Sequence, residues 1–249
     1  MNYLQELTYD EGIIYKNLKI YPVIMKDYIE FHSLVSCLLI DKNSRPDIKI
    51  ISMTYLRFLY YESERTKIPY IYMLKLLLCL VLHLDYNEEI RFYTKEDKAY
   101  FSIKNIEYNA SDFDKIVEII FLQNSIEPID ESIQKEIRDA LQKAEEYKMQ
   151  QNHRKICSLE EQMICVLISS ALKLDDIYNL TIRKFEKILE RVDAKLHYQI
   201  YMNASMSGFV KFDDKNAITH WMADLTKDKY SDVKVDMNEM RNKIDEINR

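Results

Sequence analysis

The chain has 249 residues, 47% of them hydrophobic, a formal net charge of −6, and only two glycines and four prolines. The shortage of Gly and Pro excludes collagen-like and linker-rich chains, argues against β-folds with many tight turns, and leaves too few glycines for a phosphate-binding loop. A slightly acidic chain without a basic block also argues against binding to nucleic acid, which depends on Lys and Arg beside the phosphates.

The first 127 residues are predicted to form an α+β domain. Residues 12–23 alternate apolar and polar side chains around Lys16-Asn17, which predicts a β-hairpin. Apolar residues then recur at helical spacing and predict three helices, over residues 26–39, 47–59 and 70–84. The third is apolar on nearly every side, as expected for a helix in the centre of a core.

The end of this domain returns to strand-like alternation. Residues 89–108 alternate with period two and predict a three-stranded antiparallel meander, with turns at residues 95–97 and 104–105. Ser111 is a suitable N-cap for a helix over residues 112–123, because its hydroxyl can accept from a free N–H of the first turn.

The second half of the chain is predicted to be helical. Residues 128–156 are polar with a thin apolar stripe, which predicts a connector helix. Ser158 and Glu161 form a capping box before an apolar helix over residues 159–172. A long helix follows from Thr181 to Ser207-Gly208. Its predicted buried stripe consists of Phe185, Ile188, Leu189, Val192, Leu196 and Ile200. A short helix over residues 214–224 closes a C-terminal domain of residues 157–225.

The remaining residues, 226–249, form a polar tail with balanced charges. Its apolar residues are spaced by three, four and three positions: Met237, Met240, Ile244 and Ile247. Such a seam is too short to be a stable helix alone, so the tail is a docking helix for a partner, a self-docked segment or a disordered one. The predicted fold class is therefore α+β, mostly α, with a hairpin, a helical core, a small meander and a helical C-terminal half.

The sequence offers little for catalysis. The histidines lack zinc-site spacing, the set His153, Cys157 and Cys165 lacks a fourth ligand, and no G-x-S-x-G elbow is present. His32 and His83 lie in apolar helices and are interpreted as core histidines. Adjacent acidic pairs diverge around a helix and are interpreted as caps and solvated faces. We expect a protein without enzymatic activity, cofactor or metal; a metal-dependent enzyme built from carboxylates on several helices is the remote alternative.

Cysteine usage and hydropathy bear on location. Three of the four cysteines lie in apolar runs and none forms a C-x-x-C pair, which predicts buried thiols in a reducing compartment. The first ten residues are too polar for a signal peptide. The longest apolar run, residues 68–84, is too short to cross a membrane. We expect a cytoplasmic protein that does not bind membranes.

Aromatic residues are the most suggestive candidates for binding. The second and third predicted helices are crowded with them, and the candidates for partner contact are Tyr55, Phe58, Tyr60, Tyr61 and Tyr72. Tyr is favoured at interfaces because it offers a large amphipathic surface at low entropic cost. AT-rich codon bias explains the same excess without any function. Trp221, the single tryptophan, is an anchor of either the core or an interface, and the tail seam completes the candidate set.

Several segments resemble a known family. The segments LKIYPVIMKDYIEF (18–31) and KIISMTYLRFLY (49–60) resemble the start of tail morphogenesis proteins from phages and phage-like particles of Gram-positive bacteria. The segments LERVDAKLHYQIY (189–201), SGFVKF (207–212) and HWM (220–222) resemble their C-terminal part. The stretches that contain these segments, residues 18–60 and 189–222, together cover about a third of the chain, and the segments contain no catalytic motif.

The resemblance implies a tail assembly chaperone. Such a protein is helical and non-catalytic, and it binds the long tape-measure protein in the host cytoplasm before the tail tube polymerises around it. Other tail proteins or a second copy of the chain are further expected partners. The alternative is a permanent structural subunit of the virion, such as a baseplate or tube-associated adaptor, which would have a similar composition.

Overall fold

The computed structural model describes residues 3–42, 47–129, 157–208 and 219–224, with a few positions between 137 and 147. In these ranges the chain is mostly helical, with one two-stranded and one three-stranded antiparallel sheet, so the predicted α+β, mostly α class is confirmed. Two compact units are distinguished, Met1–Glu190 and Arg191–Arg249. The predicted domain boundaries at residues 127, 156 and 225 stay predictions.

The N-terminal hairpin forms as predicted. After helix α1 (Leu4–Tyr9), strand β1 (Ile13–Tyr15) pairs antiparallel with β2 (Leu18–Ile20) through the turn at Lys16-Asn17. Ile13 and Ile20 are paired across the hairpin and are both buried, so this small sheet is anchored to the core by one face.

The central helices follow the prediction with one correction. Helix α2 (Tyr28–Val35) lies between two 3₁₀ turns, and α5 (Tyr70–Leu82) is buried along most of its length. The single helix predicted over residues 47–59 is two helices, α3 (Ile48–Ile51) and α4 (Tyr55–Thr66). The Ser52 hydroxyl donates to the carbonyl of Lys49 at the end of α3, and Thr54 is extended before α4. Such local side-chain bonds compete with helix continuation although the apolar period runs on.

The predicted meander is confirmed as strands β3 (Ile90–Lys95), β4 (Lys98–Ile103) and β5 (Ile106–Tyr108). Both turns, Glu96-Asp97 and Lys104-Asn105, have positive φ angles between 47° and 65°. Hairpin turns of this kind usually contain glycine, because positive φ is costly for residues with a Cβ. Here the chain forms them without glycine.

Helix α6 (Ala110–Gln123) begins at a different residue from the one predicted. Its N-cap is Asn109, whose side chain accepts from the N–H of Asp112, while Asp112 accepts from the N–H of Asn109. Ser111 lies inside the first turn. Asp112 also accepts from the Tyr15 hydroxyl at 2.8 Å and pairs with Lys16 at 2.6 Å, so the start of α6 is fastened to the hairpin.

The C-terminal helices are α7 (Leu159–Ser169), α8 (Leu174–Asn179) and α9 (Ile182–Met206). The predicted capping box of Ser158 and Glu161 starts α7. Residues 180–182 pair with residues 23–25: the Met25 N–H donates to Leu180 and the Ile182 N–H donates to Val23. Ile177, Ile182 and Phe185 therefore belong to the same buried cluster as the N-terminal helices.

Two further expectations, on the cysteines and on His83, are wrong. Only Cys37 and Cys79 are buried, whereas Cys157 and Cys165 are exposed. His83 is exposed at the end of α5, where its ring stacks on Tyr21; its left-handed backbone closes the helix. His32, the other histidine expected in the core, is half-buried, and its ring packs against those of Tyr28 and Phe31.

The end of the described chain also departs from the prediction. Residues 221–223 form a turn and bend, and residues 219–224 contain no helix, although a helix was predicted there. Residues 214–218, most of the connector 128–156 and the tail 226–249 lie outside the described residues.

Candidate protein-binding groove

An apolar groove of about 550 Å³ lies on the surface of the first unit. Its walls are residues 38–42, the start of α4, and the outer side of α6 with the segment that follows it. Its apolar lining includes Leu38, Ile40, Tyr55, Val117, Phe121 and Leu122. Its charged lining residues are Asp41, Lys42, Asp114 and Glu118, so most of its charged groups are acidic.

Helix α6 can line this groove because it is apolar on more than one side. Ile116, Ile119 and Ile120 are fully buried on its inner side. Val117 and Phe121, four residues apart and therefore neighbours on one face, belong to the groove, and Leu122 beside them is 40% exposed. An ordinary surface helix has a single apolar stripe. The second apolar face of α6 therefore forms one apolar wall of the groove.

The C-terminal end of α6 is fixed by Asn124, which is fully buried. Its side-chain oxygen accepts from the Val23 N–H at 2.9 Å, and its side-chain nitrogen donates to the Ile120 carbonyl at 2.8 Å. Ser125 then adopts a positive φ of 54°, and the Ile126 N–H donates back to Phe121. This reversal brings Ile126, Pro128 and Ile129 to the edge of the groove.

Tyr55 is the predicted candidate that lines the groove. Its hydroxyl accepts from the Ile40 N–H at 3.0 Å and lies within 3.1 Å of the Ile40 carbonyl and 3.3 Å of the Cys37 carbonyl. The phenol is thus anchored at its polar end, while its ring packs 5.7 Å from that of Phe58. An aromatic ring held in this way presents a rigid apolar wall at little further entropic cost.

The other candidates on α4 and α5 lie away from the groove. Phe58 is fully buried, so a partner could reach it only if the core opened. Tyr60 and Tyr61 are half-buried against the core, and burial raises the pKa of Tyr60 to about 12. Among the described residues the Tyr60 hydroxyl has no hydrogen-bond partner. Tyr72 is 59% exposed and is available at the surface.

Trp221 lies in the second unit and is half-buried. The Arg191 guanidinium donates to the carbonyls of Trp221 and Ala223, both at 2.7 Å, and the Lys195 ammonium lies 5.9 Å from the indole ring centre. Trp221 therefore anchors its own segment to α9. The remaining candidates, Met237, Met240, Ile244 and Ile247, lie outside the described residues.

Sequence reasoning missed the groove residues Val117, Phe121, Leu122 and Ile126. The signal that could have found them is the surplus of apolar residues in α6, which exceeds what one buried stripe requires. Their meeting with Tyr55 depends on how α4 and α6 pack, and no local pattern contains that information.

Within the described ranges, no three His, Cys, Asp or Glu side chains lie close enough together to hold a metal ion. Within the same ranges, no helix is both long and apolar enough to cross a bilayer. The expected lack of enzymatic activity stays a prediction.

The fold and groove define a mostly helical α+β protein with an apolar surface groove. Residues 148–226, about a third of the chain, match the family model of the YomV second domain, a family derived from a Bacillus prophage. The C-terminal segments that resemble phage tail proteins all lie within this match. No curated protein and no solved structure matches the chain.

Proposed function

We propose that this protein is a non-enzymatic phage tail assembly protein that acts in the host cytoplasm by binding the tape-measure protein. Two findings support the proposal. The C-terminal part of the chain is similar to a prophage-derived family, and the N-terminal unit carries an apolar groove. The sequence resemblance adds the tail-assembly role and the identity of the partner.

The groove is the observation that carries the proposal. It is an apolar concavity of about 550 Å³ on the surface of the first unit. Val117, Phe121 and Leu122 offer an apolar strip beside the anchored ring of Tyr55. Such a surface fits an amphipathic helix, which inserts apolar side chains spaced by three and four residues. Covering that face would keep a tape-measure helix from aggregating before the tube assembles.

Co-expression with the cognate tape-measure protein tests this function. We expect the wild-type chain to raise the soluble fraction of the tape-measure protein and to coelute with it in size-exclusion chromatography. Leu122→Asp places a charge in the groove and should weaken binding by at least about tenfold, as is usual for an interface anchor. Ile29→Asp is the matched control, because Ile29 is 78% exposed on α2, outside the groove.

Two results would contradict the proposal. One is unchanged solubility and elution of the tape-measure protein with the wild-type chain. The other is an equal loss of tape-measure binding in both variants, which would show that binding does not depend on the groove. Mass spectrometry of purified particles then distinguishes the roles: a stoichiometric amount of this chain indicates a permanent subunit such as a baseplate adaptor, and its absence indicates a chaperone.

A further inference from the structure

The long helix α9 carries an apolar stripe that is covered over only part of its length. Ile182 and Phe185 are buried, but Leu196 and Ile200 are 51% and 61% exposed. This corrects the prediction that the whole stripe is buried. Two exposed apolar residues four positions apart form a continuous patch on one side of a helix. The patch belongs to the second compact unit, where Val192 before it is half-buried.

The segment that returns to α9 leaves this patch open. Residues 219–224 contact Arg191, Lys195 and Tyr198, the last through a ring contact of 4.9 Å with His220. These positions recur at spacings of four and three and so share one side of the helix. Successive residues turn by about 100° around the axis, so this side differs from that of Leu196 and Ile200.

The remaining chain has the right length and pattern to cover the patch. The described residues reach Asp224, and residues 225–249 follow. Asp224 is next to Ala223, whose carbonyl accepts a hydrogen bond from Arg191 on α9. The linker of residues 225–236 can span about 40 Å when extended, whereas α9 extends only about 22 Å from Arg191 to Met206. The seam from Met237 to Ile247 repeats the three-and-four spacing of the α9 stripe.

We propose that the tail seam, residues 237–247, docks on Leu196 and Ile200 of the same molecule, a surface that we call the α9 patch. A seam this short needs a partner surface, because isolated helices of its length are marginal in water. A second copy is the poorer occupant: two half-exposed side chains per copy are far less than the roughly 800 Å² per partner of a stable interface. Tethering avoids the entropic cost of association.

Hydrogen exchange of the full-length chain tests this docking, which does not depend on the groove. We expect amides of residues 237–247 to exchange at least about tenfold more slowly than in an unstructured chain. Ile200→Asp should remove that protection, and so should the reciprocal change Ile244→Asp. Tyr201→Asp is the matched control, because Tyr201 is also exposed on α9 but lies about 100° further round the helix. It should leave the protection intact.

The outcomes separate the possible occupants. Unprotected tail amides in the wild-type chain would overturn the proposal, and so would protection that survives both Ile200→Asp and Ile244→Asp. Light scattering over a range of protein concentrations should give the monomer mass while the tail stays protected. Protection that appears only with a dimer mass would assign the patch to a second copy and overturn docking within one molecule.

Discussion

Replacing Asn124 with alanine is expected to lower the free energy of unfolding substantially. Asn124 is fully buried and joins two separate parts of the fold, since it accepts from the Val23 N–H and donates to the Ile120 carbonyl. Val23 itself is 4% exposed, so its N–H would lose its acceptor without gaining water. A buried donor without a partner costs about 1–3 kcal/mol.

The lost amide group also leaves a small cavity, so the total expected loss is about 2–4 kcal/mol. The matched control is Asn179→Ala. The Asn179 side chain makes the same kind of bond, donating to the Asp175 carbonyl four residues earlier at 2.8 Å, but on the exposed surface. Water can replace that bond, so the control should lose less than about 0.5 kcal/mol.

Urea unfolding followed by far-ultraviolet circular dichroism measures both changes. The midpoint should fall clearly for Asn124→Ala and barely for Asn179→Ala, with similar slopes. Equal effects of the two substitutions would refute the reasoning, because Asn124 is fully buried and holds the buried Val23 N–H, whereas Asn179 is exposed to water. A loss below about 1 kcal/mol for Asn124→Ala would also refute it.

Two further predictions concern the turns and the start of α6. Lys104 has a φ of +49°, so Lys104→Gly should raise the free energy of unfolding by about 0.5–1 kcal/mol; a lower urea midpoint would contradict this. Burial raises the pKa of Asp112, but hydrogen bonds from Lys16, the Asn109 N–H and Tyr15 outweigh it, so its pKa lies below the ordinary value. Its stabilising contribution is present at neutral pH and is lost as the pH falls through that lowered pKa. Asp112→Asn should therefore reduce the difference between the free energies of unfolding at about pH 7 and about pH 3. An unchanged difference would show that Asp112 does not contribute to this pH dependence.

Local pattern was enough to predict the strands and most helices of the described chain. The hairpin at Lys16-Asn17 and the three-stranded meander followed from period-two alternation, because one face of each strand is buried. Local pattern failed where side-chain hydrogen bonds decide an end. Residues 52–54 interrupt a helix whose apolar period continues, and Asn109 caps α6 in place of Ser111 because Asp112 returns its hydrogen bond.

The candidate site was much less predictable. The aromatic excess led to Tyr55, which lines the groove, but also to Phe58, which is fully buried. Both lie on α4 three residues apart, and composition cannot tell which of two aromatic residues faces solvent. The residues opposite Tyr55, such as Val117 and Phe121, come from a helix more than 60 residues later in the chain.

The sequence by itself determined the fold class, the hairpin, the meander and the long C-terminal helix, because alternation and helical spacing are properties of neighbouring residues. Only the tertiary structure decided which apolar faces are covered. Ile182 and Leu196 belong to the same stripe, yet one is buried and the other half-exposed. The difference depends on which elements pack against each turn of α9. Contacts between residues distant in the chain produce no periodic pattern in the sequence.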